Sequence, residues 1–311
     1  MRLRVGTRGS RLSLIQTMEV IDKLKTLFPE LEYEIKIIKT RGDIDLETPL
    51  YMIPEKGIFE KEIDQALIRG EIDFAVHSMK DYPTKLPSEL VIAAVPERRS
   101  PYDVFISRDG LSLDDLPRIS KVGTSSLRRE AFIKYVRSDL EVIPIRGNVE
   151  TRIQKMLRGD VDALILAEAG LERIGGNIRY EKLPIEDFTP PAGQGALAVV
   201  ARKDNHELIK ILENVNHYES WIETMIERGI ISLLNVGCKT PIGVYVEMDS
   251  GELNITISTV STDYSRKVHV QTFTKDTDIS KAATDAVRLF KEKGGLEILN
   301  AWKRIYDISS R

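Results

Sequence analysis

The sequence has almost no cysteine. Cys238 stands alone among 311 residues, which excludes an intramolecular disulfide and any multi-cysteine zinc or iron–sulfur centre. Histidine is scarce too: His77, His206, His217 and His269 show no ligand spacing, so no metal site is expected. No run approaches the ~18 apolar residues of a membrane helix. Met1 to Ser10 lack the apolar stretch of a signal peptide, so the expectation is a cytosolic protein with no membrane partner. Charge of one sign is missing as well. The 45 Lys and Arg nearly balance 48 Asp and Glu, for a net charge of −3, and such a field would not hold a nucleic acid. Gly193-Gln194-Gly195 is too short for a dinucleotide fingerprint, and no phosphate-binding G-x-x-x-x-G-K-[ST] string occurs. What is present is 42% hydrophobic content, over a length that allows two or three domains of ~100 to 150 residues, each with its own core.

The N-terminal two-thirds reads as alternating strands and helices. Leu3 to Val5 is a short apolar run. Leu12 to Leu27 has helical spacing before Pro29, Tyr33 to Ile38 alternates like a strand, Ile58 to Ile68 is helical, and Gly70 precedes a strand from Phe74 to His77. The same order returns after Pro101, and residues return with it. Val5-Gly6-Thr7 reappears as Val122-Gly123-Thr124, Arg41-Gly42-Asp43 as Arg146-Gly147-Asn148, and the ten residues from Leu67 as those from Met156. The offsets of 117, 105 and 89 shrink along the chain, as two copies of one α/β unit with longer loops in the first would produce. Two proline-containing linkers, Pro96 to Pro101 and Thr189 to Gly195, suggest that the chain crosses back to complete the first copy with Ala196 to Ala201 and Glu207 to Leu212. The expected domains are 1–97 with 196–216, then 101–191, then a smaller α+β domain at 217–311. That last domain would have a helix to Leu234, strands around a turn at Asp249-Ser250-Gly251, and a C-terminal helix from about Ile279 to Lys293.

Strand-to-helix junctions are where unpaired N–H groups attract anions. Ser10 stands at one, with Arg8 and Arg11. Thr124, Ser125 and Ser126 stand at the next, with Arg128 and Arg129, and Arg146-Gly147-Asn148 precedes a helix bearing Arg152. Arginine at a helix start opposes the helix dipole, so its repetition there asks for a carboxylate or phosphate, which the guanidinium fork matches. Residues 121 to 158 hold nine Lys and Arg against four acids, +5 within a protein of −3, which leaves −8 elsewhere. The strand ending at His77 leads into Lys80, Asp81 and Pro83, a place where α/β proteins put ligand contacts. Taken alone, Asp81 is more often a solvated turn residue and His77 a structural one. The residues also leave open whether Cys238 is a buried apolar side chain or a thiol activated by Lys239.

Taken together, Thr7 to Ser10, Thr40 to Asp43, Glu55 to Phe59, His77 to Asp81, Gly123 to Arg129, Ile145 to Asn148, Ala169 to Leu171, Gly193 to Ala196 and Gly237-Cys238 resemble the porphobilinogen deaminase (hydroxymethylbilane synthase) family, over Arg4 to about Gly243. The last 65 or so residues resemble it only in pattern. The resemblance implies a transferase that joins four porphobilinogen molecules head to tail, releasing ammonia, to give 1-hydroxymethylbilane. It implies a dipyrromethane cofactor held by a thioether, here at Cys238, and the carboxylates of that cofactor would be the anions the arginine junctions ask for. Cofactor contacts carry over to Lys80, Thr124, Ser126, Arg128, Arg129, Arg146 and Arg152. Arg8, Ser10, Arg173, Phe59 and Gln194 fall nearer the substrate, and Asp81 matches the catalytic carboxylate. Met52 stands where lysine is common in the family, Val236 where the first glycine of Gly-Gly-Cys is, and Pro191 where an alanine is. The expected fold is α/β: two similar domains of periplasmic-binding-protein type around a hinged cleft, plus the α+β C-terminal domain, in a monomer. The same fold would suit a cytosolic anion- or solute-binding protein without catalysis.

Overall fold

A computed structural model describes residues 2–40, 60–237 and 240–308. The chain runs β1 (Arg2–Thr7), α1 (Arg11–Leu27), β2 (Glu32–Ile37), α2 (Lys61–Ile68), β3 (Phe74–Ser78), β4 (Leu90–Ala94), β5 (Asp103–Ser107), β6 (Lys121–Gly123), α3 (Leu127–Val136), β7 (Glu141–Ile143), α4 (Val149–Leu157), β8 (Ala163–Ala167), α5 (Glu168–Ile174) and β9 (Glu181–Lys182). It continues through β10 (Leu197–Arg202), α6 (His206–Leu212), α7 (Tyr218–Leu233), β11 (Ile242–Asp249), β12 (Glu252–Val260), β13 (Lys267–Thr274), α8 (Ile279–Glu292) and α9 (Gly295–Ile308). Two compact units result. One holds the described residues up to 100 together with 193–222, and the other holds 101–192 with those from 223 onward.

The first unit is built on a sheet of order β2-β1-β3-β10-β4. β1 pairs in parallel with β2 and β3, while β10 runs antiparallel between β3 and β4. Ser10 starts α1: its backbone is extended and its hydroxyl accepts from Ser13 N at 3.2 Å, filling one of the open donors of the first turn. Val20, Ile21 and Leu24 on α1 then pack on Leu3, Val5, Phe74, Val76 and Val199 of the sheet. Each such fully buried side chain contributes roughly 1.5–3 kcal/mol.

The second unit repeats this plan with order β7-β6-β8-β5-β9, again two parallel pairings and an antiparallel fourth strand. The residue repeats of the sequence are repeats of register. Val5 and Gly6 face Phe74 and Ala75 across the ladder, and Val122 and Gly123 face Ala163 and Leu164, as offsets of 117 and 89 require. Asp73 accepts from Arg4 N at 2.7 Å, and Asp162 from Lys121 N at 2.8 Å, the same bond at the same two offsets. These are the two similar α/β sheets that the sequence predicts.

The second unit also holds an antiparallel sheet, β11-β12-β13. Ser250 and Gly251, both at positive φ, make the tight turn joining its first two strands. β11 is an edge strand whose outward N–H groups would be open to another chain. Here Val246 N and Met248 N donate to Glu227 and Glu223 of α7 at 2.9 and 3.0 Å. The C-terminus differs from expectation, because Gly294-Gly295 does not end the helical region. Gly294 turns the chain at φ +83°, and α9 follows, burying Leu299 and Trp302, whose indole donates to Val260 O at 2.7 Å.

At Gly123, a Cβ would lie 2.8 Å from Leu164 Cδ2 and 3.2 Å from side-chain atoms of Ile145 and Val161. Gly123→Ala is therefore expected to cost about 1–3 kcal/mol of stability by overpacking, read as a lower urea midpoint. An unshifted midpoint would show that this close approach is not a constraint.

Candidate functional site

In the first unit the site is built at the end of β3. The strand passes from buried His77 through Ser78, whose hydroxyl accepts from Gln16 Nε2 at 2.9 Å, into a single 3-10 turn at Met79–Asp81. The second linker holds that turn closely. Met79 N donates to Ala196 O at 3.0 Å, Lys80 Nζ to Gln194 Oε1 at 3.2 Å, and Arg98 Nε to Gln194 O at 2.8 Å. Gly193, at φ +76°, comes so near that a Cβ would sit 2.5 Å from Met79 Cγ, and no other residue fits there. Gln194 is thus fully buried and holds Lys80. Asp81 is exposed, while the next residue, Tyr82, turns inward and donates to Asp64 Oδ1 at 3.2 Å.

Burial pushes the Asp64 carboxyl up to about 6, against a smaller opposing effect of the Tyr82 bond. His77 stacks on Tyr82 with ring centroids 4.7 Å apart. Burial lowers His77 to about 3, helped by the positive charge of Arg8, and its Nε2 finds no hydrogen-bond partner among the described residues. Arg8 and Ser10 lie half-buried at the junction of β1 and α1, so this unit brings Arg8, Ser10, Lys80, Asp81 and Gln194 to the strand ends of one sheet.

In the second unit the cations gather on one buried acid. Asp103, at the start of β5, is fully buried, and Arg128 and Arg129 are only 5% and 6% exposed. Arg128 Nη2 donates to Asp103 Oδ2 at 2.6 Å and its Nη1 to Thr189 O at 2.8 Å. Arg129 donates to Asp103 Oδ1 through Nε and Nη2, at 3.2 and 2.8 Å, and through Nη1 to Ile165 O at 2.9 Å. Two guanidiniums on one carboxylate leave these three groups with a net positive charge, at the positive end of the α3 dipole. Burial draws Arg128 below its ordinary range. Asp103 opposes that shift and the neighbouring Arg129 adds to it.

Ser126 caps α3 by accepting from Arg129 N at 3.4 Å, and Thr124 Oγ1 accepts from Ser126 N at 3.2 Å. Asn148 caps α4, where half-buried Arg152 donates to Gly147 O at 2.8 Å. Lys155 reaches Arg146 O at 3.1 Å, and Arg146 is half-buried. Arg173 lies buried in α5. Cys238 and Phe59 fall outside the described residues, as do Met52 and Lys56. The exit of the cysteine loop is described. Thr259 Oγ1 donates to Pro241 O at 2.7 Å and Val244 N to Pro190 O at 2.8 Å.

Asp103, Thr189, Tyr82 and Asp64 escape sequence reasoning. Asp103 alone leaves a signal, a lone acid opening the apolar strand Asp103–Ser107; the others are fixed by partners 18 to 69 positions away.

The family described as porphobilinogen deaminase, dipyromethane cofactor binding domain, matches residues 3–210, and its C-terminal domain matches 221–292. The chain is 42% identical to a probable porphobilinogen deaminase of Nitrosopumilus maritimus over 97% of each chain. It is 43% identical to the porphobilinogen deaminase of Syntrophomonas wolfei over 96% of this chain and 97% of that one. Among solved structures it is similar to a substrate binding domain of a putative molybdenum ABC transporter from Clostridium difficile, with a TM-score of 0.45 and 11% identity over 70% of this chain and 93% of that one.

Removing the charge of Asp103 while leaving two guanidiniums buried should be severe. Asp103→Asn is expected to lose about 3–5 kcal/mol, measured by denaturant unfolding, and a loss under about 1 kcal/mol would show the cluster to be solvated. A second outcome concerns acid. His77 is neutral when folded but binds a proton below about 6.5 when unfolded, so it removes stability as pH falls toward 3. Asp64, raised when folded, acts in the opposite direction, taking up its proton as pH falls through about 6. His77→Phe should therefore lose about 2 kcal/mol less than the parent between pH 7 and 5. Equal acid sensitivity in the two proteins would place His77 in contact with solvent.

Proposed function

The chain belongs to the porphobilinogen deaminase family, and on that premise we propose that Asp81 and Cys238 carry its chemistry, the first handling charge and protons, the second holding the dipyrromethane cofactor. It is a transferase that condenses four porphobilinogen molecules head to tail with loss of ammonia, giving 1-hydroxymethylbilane. The family and these relatives support that enzyme and not the solute-binding alternative.

The residues of the second unit fit the cofactor by the chemistry of their donors. Dipyrromethane carries acetate and propionate groups. Arg128 and Arg129 exceed Asp103 by one charge beside the start of α3, and Arg146 and Arg152 stand at the start of α4. We assign Thr124, Ser126 and these four arginines to the carboxylates, together with Lys80 of the first unit. When bound, the cofactor supplies the free pyrrole position from which the chain is extended. Among these observations the Arg128–Asp103–Arg129 cluster carries the reading, since a buried excess of cation calls for an anion.

Asp81 is assigned to the pyrrole nitrogen side of the substrate. Its exposed carboxylate would stabilise the positive charge that develops as ammonia leaves the aminomethyl group, and would accept the proton released when the new carbon–carbon bond forms. Gln194 and the Gly193 approach keep the turn that carries it in place. Arg8, Ser10, Arg173, Phe59 and Gln194 are assigned to the substrate side. We further propose three domains, at 1–97 with 196–216, 101–191 and 217–311, and a cytosolic monomer with no nucleic-acid or membrane partner. No helix among the described residues is long and apolar enough to cross a membrane.

Intact mass tests the assignment of the cysteine. Protein made with porphobilinogen available should be heavier than its sequence by two pyrrole units, and Cys238→Ala should not be. A Cys238→Ala protein that still gains this mass overturns the attachment. For Asp81, exposed and on a surface turn, Asp81→Ala should keep the parent melting temperature while turnover falls by roughly 10²- to 10⁴-fold.

A further inference from the structure

Thr189 is fully buried at a point where three parts of the second unit meet. Its carbonyl accepts from Arg128 Nη1 at 2.8 Å. The same carbonyl oxygen would lie 2.3 Å from a Cβ placed on Gly243, and Thr189 Cβ would lie 2.6 Å away, so the backbone leaving the Cys238 loop is pressed flat against Thr189. The next residue continues the contact, Val244 N donating to Pro190 O at 2.8 Å. The Thr189 hydroxyl is fixed from the other side. It lies 2.8 Å from Ile185 O and 2.8 Å from Ser258 Oγ, and Ser258 Oγ is 2.7 Å from His269 Nδ1 on the neighbouring strand. Arg128, the cysteine-loop exit and the centre of the C-terminal sheet therefore share one residue.

A displacement of Thr189 would move both the acceptor of Arg128 and the surface that seats Gly243. We propose that Thr189 is a positioning residue that registers the exit of the cysteine loop against the Arg128–Arg129 pair, through its hydroxyl bond to Ser258, so that formation of the thioether at Cys238 depends on it: the thiol gives up its proton, sulfur bonds to the aminomethyl carbon of porphobilinogen, and that carbon's bond to nitrogen breaks with ammonia as the leaving group. This rests on the assignment of Cys238 as the attachment point. Bringing a reacting sulfur and a carboxylate-anchored pyrrole into register is a matter of ångströms, and misplacement on that scale is worth up to about 10²-fold in rate.

The experiment uses the full chain in its cofactor-free form, mixed with porphobilinogen, and follows mass gain by intact-protein mass spectrometry beside a thermal melt. Thr189→Val keeps the shape and removes the hydroxyl, and is expected to melt within a few degrees of the parent but to gain mass roughly 10- to 100-fold more slowly. Thr189→Ser keeps the hydroxyl and loses a methyl group, and is expected to gain mass near the parent rate, which a role in packing alone would not produce. If Thr189→Val does not fold, Ser258→Ala, which removes the hydroxyl's partner and leaves Thr189 in place, is read the same way. Mass gain at the parent rate in Thr189→Val, or slow gain in Thr189→Ser with normal gain in Thr189→Val, overturns the proposal. Absence of mass gain in the parent, or gain in Cys238→Ala, instead overturns the assignment of the cysteine.

Discussion

The buried carboxylate of Asp103 is the fixed point of the second unit. It opens β5 and binds two arginines from the first turn of α3, and through them it reaches Ile165 O on β8 and Thr189 O on the returning segment. A buried ion pair is weak evidence for stability, because desolvating the ions offsets most of their attraction, and apolar replacements are often as stable. Stability therefore does not explain why three charged groups stand where a sheet and a helix could have packed with hydrocarbon. The surplus does. One acid orients two guanidiniums without neutralising them, and the helix start adds its own partial positive charge. Orientation is settled before any ligand arrives, so the carboxylate proposed to dock there would meet donors that need little rearrangement.

The first unit solves a different problem with other means. Asp81, proposed as its reactive acid, is exposed on a turn of three residues. The turn is held instead by close backbone contact at Gly193, by the amide of Gln194 on Lys80, and by Tyr82 folded back onto Asp64. Asp64 takes the cost of burial, its pKa raised to about 6. One unit thus fixes cations by burying them, and the other exposes an anion by anchoring its neighbours.

Much of this was legible in the sequence, for reasons that show where legibility ends. The repeated strings were readable because register in a sheet is a one-dimensional constraint. Val5 and Val122 must pair as they do once Phe74 and Ala163 are placed, and the offsets of 117 and 89 carry that fact. The bonds from Arg4 N to Asp73 and from Lys121 N to Asp162 follow the same arithmetic. Asp103 and Thr189 obey no such period, since each is defined by partners brought near only by the crossing of the chain. α9 lies beyond the expected end of the C-terminal helix at Lys293: Gly294 only redirects the chain, and Gly295 lies so close to the Phe290 ring that a Cβ has no room.

The charge count mixes two kinds of cation. Residues 121 to 158 carry an excess of +5, but several of those cations serve the fold. Arg137 binds Asp139 and the carbonyls of Leu113, Asp114 and Leu116, pinning the loop ahead of β6. Lys134 donates to the carbonyls of Ser138 and Leu140, and Arg158 pairs with Asp160 just outside the window. Charge density alone does not separate a cation that closes a loop from one that waits for a ligand. Position along the helix does, because a carbonyl-binding cation belongs at a helix C-terminus, where the dipole favours it, and Lys134 and Arg137 stand there on α3. Arg128 and Arg129 stand at the opposite end, where the dipole disfavours them and a single acid undercompensates. That misplacement, more than the sum of charges, is what supports the proposed anion site.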